Sequence, residues 1–412
     1  MDTIKLNSID VEKTGGGVQR VKYNYTTTPH YQSFLRKNAI PLFIEYPASI
    51  DISEVPQAIL AVPFIANMLT VTMLLGVTIE VPELDLKFSE SIQKIEQVYH
   101  RMYPHSHLRF KVQIDRKVNC SYTPQNKRSL FFTGGLDATS ALAQIFSEKP
   151  LLINIWGGDI STTDEASHSH LEKYMQHLTS HIGNEYVFIK SNCREMYNEE
   201  KVTKLWGTRI SPFKNHGWWA NIGHILSMSS LIAPLVYAKK ISLQYIGSSY
   251  DSKSSTFDAN NAELLNAIKF GNIDFISVDE NRNRMQKAKT VIDFYQKTDI
   301  PLELKVCWYR KAGKNCCECE KCYRTIMNLV ANHGDPNNFG FVVNSATFER
   351  MHRYLENNYV NVEFWTEIQR EFQKNRTYWE NNKDVAWILD FKFNRMKALK
   401  NKTISVFKRF LK

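Results

Sequence analysis

The sequence predicts an α/β fold built on a parallel sheet, and three observations carry that reading. From Leu130 onward, short apolar strand patterns alternate with amphipathic helical ones, the order that βαβ units produce. The stretch LLINIWG (151–157) is continuously apolar, as in a strand buried on both faces. A glycine-rich turn, Thr133 to Thr139, joins the first of these strands to the helix that follows. Hydrophobic residues make up 43% and charged residues 23%, which excludes wholesale disorder and collagen-like repeats. At 412 residues the chain is long enough for two or three domains and needs no disulfide staples.

Taken in order, residues 1–125 mix strand-like pieces (PLFIEYP, GVTIEVPEL) with helical ones, and read as an N-terminal α+β domain whose role the sequence does not disclose. The N-terminus is polar and lacks the apolar run of a signal peptide. Ala58 to Ile79 runs 22 residues without a charge, long enough to span a bilayer. It contains Pro63, Asn67, Thr70, Thr72, Gly76 and Thr78 and has no basic flank, so it reads as a buried helix over about 58–75 entering a strand, VTIEVP. Ile222 to Ala238 is a second uncharged stretch, expected as a core helix. A polar segment, SYTPQNKRS (121–129), is expected to link to a nucleotide-binding domain over 126–340. There LFF, LLINIWG, EYVFIK and ISLQYIG are the strands, and ATSALAQIFSE, HLEKYMQHLTSHIG and about 218–239 the helices. Residues 341–412 are charged and aromatic with helical periodicity and form a helical C-terminal region.

The formal charge of +10 is unevenly placed. Residues 391–412 hold eight Lys or Arg and no acid, which leaves the first 390 residues at about +2. The body is nearly neutral, so nucleic acid is not an expected partner. The tail interleaves those charges with Phe393, Met396, Leu399, Ile404, Phe407, Phe410 and Leu411 at helical spacing. It suits an anionic membrane surface or a protein partner, and equally suits docking on the body with its lysines in water.

Two features bear chemistry. In Thr133-Gly134-Gly135-Leu136-Asp137-Ala138-Thr139, the glycines let backbone N–H groups approach a phosphate, and the helix that follows directs its positive end at the same anion. Thr133 and Thr139 offer hydroxyls, and Asp137 suits a Mg²⁺ that offsets phosphate charge. The alternative is a tight strand–helix turn with no ligand. The second feature is cysteine density: five of seven lie within sixteen residues. Cys307, Cys316, Cys319 and Cys322 give C-x8-C-x2-C-x2-C, four thiolates for a tetrahedral Zn²⁺, with Cys317 spare. The same four would hold an iron–sulfur cluster. Such thiol density points to a reducing, cytoplasmic setting.

The loop TGGLDAT resembles the SGGxDS loop of the PP-loop ATP pyrophosphatase superfamily, with Ala138 in place of the second Ser. Combined with the cysteine spacing, the resemblance narrows to the 7-cyano-7-deazaguanine synthase group, over about 128–332. It implies a HUP-like domain that binds ATP and Mg²⁺, cleaves between the α- and β-phosphates and activates a carboxylate as an adenylate. Ammonia or an amine then displaces AMP to form an amide or related C–N bond. By this resemblance Ile155, Trp156 and Gly157 flank adenine, Gly247, Ser248, Ser249 and Asp251 line the site, and Lys287 meets phosphate or acyl-adenylate, so that Asp137 and Lys287 are the catalytic pair. The segment 206–224 concentrates Arg209, Lys214, His216, Trp218, Trp219 and His224, suited either to a small-molecule or peptide carboxylate or to core packing. The group's substrate is not carried over, because the flanks of the first and last cysteines differ from its pattern. A homodimer is compatible with this reading. Two other readings stand beside it: sulfur transfer to RNA, which needs a reactive cysteine among Cys120, Cys193 and Cys317, and a non-catalytic, zinc-stabilised subunit with a loop disabled at Ala138.

Overall fold

The alternating patterns resolve into an α/β structure with a mixed, mostly parallel sheet of ten strands. The computed structural model describes residues 2–210, 217–249, 260–307, 309 and 312–393. The strands are β1 (Thr3–Lys13), β2 (Gln19–Thr27), β3 (Phe43–Tyr46), β4 (Thr78–Asp85), β5 (Val112–Val118), β6 (Arg128–Phe131), β7 (Leu151–Trp156), β8 (Tyr186–Ser191), β9 (Leu243–Gly247) and β10 (Asp274–Val278). Their order across the sheet is β10-β9-β6-β7-β8-β3-β2-β1-β4-β5.

The five strands from β10 to β8 are mutually parallel. Winding starts at β6, steps outward through β7 and β8, then returns to the other side of β6 for β9 and β10. In a sheet wound this way, ligands bind beyond the carboxyl ends of the strands where the direction reverses. The chain leaves β6 at that reversal and enters Thr133–Thr139 directly.

Residues 1–125 do not form a separate sheet. β3 pairs antiparallel with β8, matching Ile44 with Ser191, and β1, β2, β4 and β5 extend the same sheet outward. A boundary at 121–129 would strip β8 of a neighbour and leave a row of its backbone groups unpaired. The chain instead divides into one unit of Met1–Phe132, Ile145–His168 and Gly183–Asn281, which holds the sheet, and a second of Thr133–Gln144, Ser169–Ile182 and Arg282–Lys412.

In the first unit, the uncharged segment forms the helix Gln57–Leu75, buried almost throughout. It is apolar all round because protein covers it on every side. Asn67 donates to the Pro63 carbonyl at 2.7 Å, and Tyr23 donates to the Leu60 carbonyl at 2.9 Å. This helix and the stretch Trp219–Lys239 are long and apolar enough to cross a membrane, and 94% and 83% of their most apolar windows are buried inside the structure.

In the second unit, the helix Leu136–Gln144 packs on Arg284–Thr298, which packs on Glu320–Ala331, which in turn packs on Val362–Lys374. Asn283 and Gln286 close a reciprocal cap at the start of Arg284–Thr298, fixing where its first turn begins. Past residue 341 the chain is helical over Ser345–Asn357 and Val362–Lys374, as its periodicity predicts. Residues 394–412, most of the basic tail, lie outside the described residues.

Gly157, at the end of β7, tests this packing. Its φ is +111°, and a Cβ there would sit 1.7 Å from the Ser191 carbonyl oxygen. Gly157→Ala is expected to lower the unfolding free energy by about 2–4 kcal/mol in urea denaturation, through strain and a backbone clash. An unchanged midpoint would mean that β7 and β8 do not approach as described.

Candidate functional site

The glycine loop and the four cysteines both belong to the second unit. Gly134 has φ +72°, a left-handed turn that favours glycine. Gly135 donates only a long hydrogen bond, 3.4 Å, to Thr133 Oγ1, and Thr139 N–H closes the first helical bond onto the Gly135 carbonyl at 2.9 Å. Among the described residues, the N–H groups of Gly134, Leu136, Asp137 and Ala138 have no hydrogen-bond partner. Unpaired amides on a tight turn, continued by the positive end of the helix Leu136–Gln144, are the arrangement that can receive an anion.

Asp137 lies in the first turn of that helix. Lys287 Nζ donates to its Oδ1 at 3.2 Å, and an Arg284 guanidinium nitrogen is 3.9 Å from its Oδ2. The Lys287 side chain is fully buried, and its ammonium reaches the loop, where the Asp137 carboxylate meets it and offsets part of the cost of burying the charge. The two residues expected as the catalytic pair are thus in direct contact. Thr139 is also fully buried, and its hydroxyl has no partner. It faces no solvent from which a phosphate could approach, so it does not replace the hydroxyl absent at Ala138.

A second group of charges stands at the loop that the sequence did not single out. Lys305 N–H donates to the Gly134 carbonyl at 2.7 Å. Its ammonium bonds Glu303 and His170, and His170 Nε2 is 3.0 Å from Glu303 Oε1. Burial pushes the Glu303 carboxyl up, but the hydrogen bond and charge of Lys305 outweigh it and hold the group below its ordinary value. Stabilisation from such a carboxylate is present above the unfolded pKa and is lost as pH falls through the folded one.

The residues expected from the sheet lie in the first unit. Ile155 is buried in β7. The Trp156 ring stacks on His168 with centroids 3.8 Å apart, Lys190 Nζ sits 4.0 Å from its centroid, and its indole N–H donates to the Ser161 carbonyl. Gly247 ends β9, and Ser248 follows with its N–H on the Val278 carbonyl at 2.8 Å. Asp251 lies outside the described residues, as do Lys214 and His216. Of the remaining residues expected at a substrate site, Arg209 is exposed at the end of the helix Glu199–Arg209. Trp218 and Trp219 are core residues here: Trp218 is fully buried with its indole N–H on the Thr70 carbonyl at 2.8 Å, and Trp219 packs against it. Their apolar area is removed from water by the helix Gln57–Leu75 and its neighbours, so neither ring faces an open binding surface.

The four predicted thiols converge. The sulfurs of Cys307, Cys316, Cys319 and Cys322 all lie within 4.8 Å of one another, with Cys307 to Cys319 at 4.0 Å and Cys316 to Cys322 at 3.9 Å. A tetrahedron of Zn–S bonds near 2.3 Å has S···S edges of about 3.8 Å, so the set can bind a metal such as zinc. Backbone N–H groups already point at the sulfurs: Tyr309 and Cys316 to Cys307, Glu318 to Cys316, and Cys322 to Cys319. Donors so aimed stabilise thiolates. Without a cation, burial pushes the Cys316 thiol up to about 11, and the hydrogen bond to Cys319 pushes Cys322 up. Cys317 is turned away: its φ is +54°, and its sulfur accepts from Val342 N–H at 3.4 Å.

One equivalent of zinc per chain is expected by elemental analysis of purified protein. Cys319→Ser and Cys322→Ser should abolish it, while Cys317→Ser should retain it. A Cys317→Ser variant that loses the metal would contradict this ligand set. No protein-family model matches the chain, and no curated protein sequence matches it.

Proposed function

We propose that the chain is an ATP-dependent ligase-like enzyme, a diverged relative of the 7-cyano-7-deazaguanine synthase group within the PP-loop ATP pyrophosphatases. It activates a carboxylate by adenylation and joins the acyl group to ammonia or an amine. The observation that carries this reading is the set of unpaired loop amides at Gly134 and Leu136–Ala138, entered straight from the strand at which the sheet reverses. A strand order of this kind also fits a HUP-like nucleotide-binding fold.

The chemistry follows from charge placement. The substrate carboxylate oxygen attacks the α-phosphorus of ATP, the bond to the oxygen bridging to the β-phosphate breaks, and diphosphate leaves with that electron pair. The loop amides receive the charge that develops on the leaving group. Lys287 and Arg284 bring cations to the same place, and Asp137 keeps them there before nucleotide arrives. Asp137 is also the carboxylate suited to Mg²⁺, which would offset phosphate charge. Nitrogen of the amine then attacks the acyl carbon, AMP departs, and a proton passes to water. The four-thiol metal has no open position and serves structure.

The sulfur-transfer reading is disfavoured by the cysteines. Cys120 and Cys193 are buried, and burial pushes each thiol up to about 12, far from the thiolate that attack on sulfur requires. The non-catalytic reading separates by assay. Wild-type protein with ATP, Mg²⁺ and candidate acids is expected to release AMP and pyrophosphate in equal amounts. Asp137→Ala is expected to lower that release by at least about 10²-fold, the scale of losing a preorganised electrostatic group. Release unchanged in Asp137→Ala would sink the mechanism, and no release from wild type with any acid would favour a binding subunit.

A further inference from the structure

Resting on the proposed diphosphate site, we infer that Lys305 is the positioning residue of the glycine loop, clamping Gly134 from above while Glu303 and His170 hold it in place. Three observations converge on it. Its N–H donates to the Gly134 carbonyl at 2.7 Å. Its side-chain stem passes so close to Gly134 that a Cβ there would stand 2.9 Å from Lys305 Cγ and 3.3 Å from Tyr174 Cε1. Its side chain is only 7% exposed, and the ammonium is taken up by Glu303 and His170. Gly134 therefore lacks a side chain for two reasons, its left-handed φ and the lysine laid across it.

The clamp is itself held. Glu303 N–H donates to the Tyr174 hydroxyl at 3.3 Å, and Lys305 Nζ lies 5.3 Å from the centroid of the Tyr174 ring. His170 is backed by Gly313, where a Cβ would meet its ring at 2.7 Å. Asn315 accepts from the N–H groups of Val306 and Cys307 and donates to the Leu304 carbonyl at 2.6 Å. The segment that carries Lys305 therefore ends on the metal ligand Cys307. Metal and anion cradle are linked through two residues of chain and one side chain. A buried ammonium paired on both sides is costly to assemble and hard to move, which suits a residue whose task is to fix a turn.

The test is titration of the full-length, zinc-loaded chain with inorganic pyrophosphate, followed by calorimetry. Lys305→Met keeps the stem and the backbone donor but removes the charge that anchors them. It is expected to retain one zinc and to bind pyrophosphate about tenfold more weakly, about 1.4 kcal/mol. Lys305→Arg should return affinity to within about threefold of wild type. Glu303→Gln should weaken binding in the same sense, and the double variant Lys305→Met/Glu303→Gln should be no weaker than Lys305→Met alone, because Glu303 acts through the lysine. Wild-type affinity in Lys305→Met, additive losses in the double variant, or loss of zinc in Lys305→Met with Glu303→Gln unaffected would each overturn the assignment. Failure of wild type to bind pyrophosphate would instead remove the diphosphate site, and the clamp with it.

Discussion

The left-handed turn at Gly134 is the constraint on which the site depends. A chain leaving a parallel strand and entering a helix normally spends its first amides on a cap. Here the turn at Gly134 and the tie from its carbonyl to Lys305 leave four N–H groups without partners in a space of five residues. Unpaired amides are expensive to keep buried and become an asset only when an anion completes them. Around them the chain places Lys287 and Arg284, each facing Asp137, and Lys305, facing Glu303. These three cations share two carboxylates, Asp137 and Glu303, which lets positive charge be held beside the loop without expelling it into solvent.

The two halves of the chain's chemistry have different physical logic. The thiol cluster is local: eight of the ten residues from 307 to 316 separate its first two ligands, and the rest follow at two-residue intervals, so hairpin geometry alone nearly assembles it. Metal binding would displace the thiol protons, neutralise the resulting thiolates in a closed tetrahedron and thereby fix the segment that ends at Cys307. The anion cradle is non-local, built from residues near 135, 170, 285 and 305. A local metal knot that immobilises one wall of a non-local site reduces the conformational freedom that must be lost when ligand arrives.

How much of this was legible in the sequence follows from the same distinction. The Gly-Gly turn between an apolar strand and a helix, the cysteine spacing, and the buried strand at 151–157 are patterns within a dozen residues, and each is where the pattern puts it. The contact of Asp137 with Lys287 bridges 150 positions and was reachable only through a family resemblance. Lys305, His170 and Glu303 gave no signal, because a lysine two residues from a cysteine looks like any solvated lysine until His170, 135 positions away, is packed on it. β1 and β5 were hidden by charge: TIKLNSIDVEK and VQIDRKV turn charged residues outward and read as polar chain. The continuity of the sheet across 121–129 is illegible for a related reason, since the β3–β8 pairing rests on backbone hydrogen bonds and leaves no compositional trace. Trp218 and Trp219 lie in a segment whose composition suits a binding surface and a core equally, and burial settled it for the core.

In the function proposed, these loop amides hold the departing diphosphate of a nucleotide. A structure of the complex with Mg²⁺ and an ATP analogue whose α–β bridge resists cleavage tests it most directly. Nucleotide held this way places β- and γ-phosphate oxygens within about 2.7–3.2 Å of the N–H groups of Leu136, Asp137 and Ala138. A nucleotide bound elsewhere, with those amides still without partners, would contradict it.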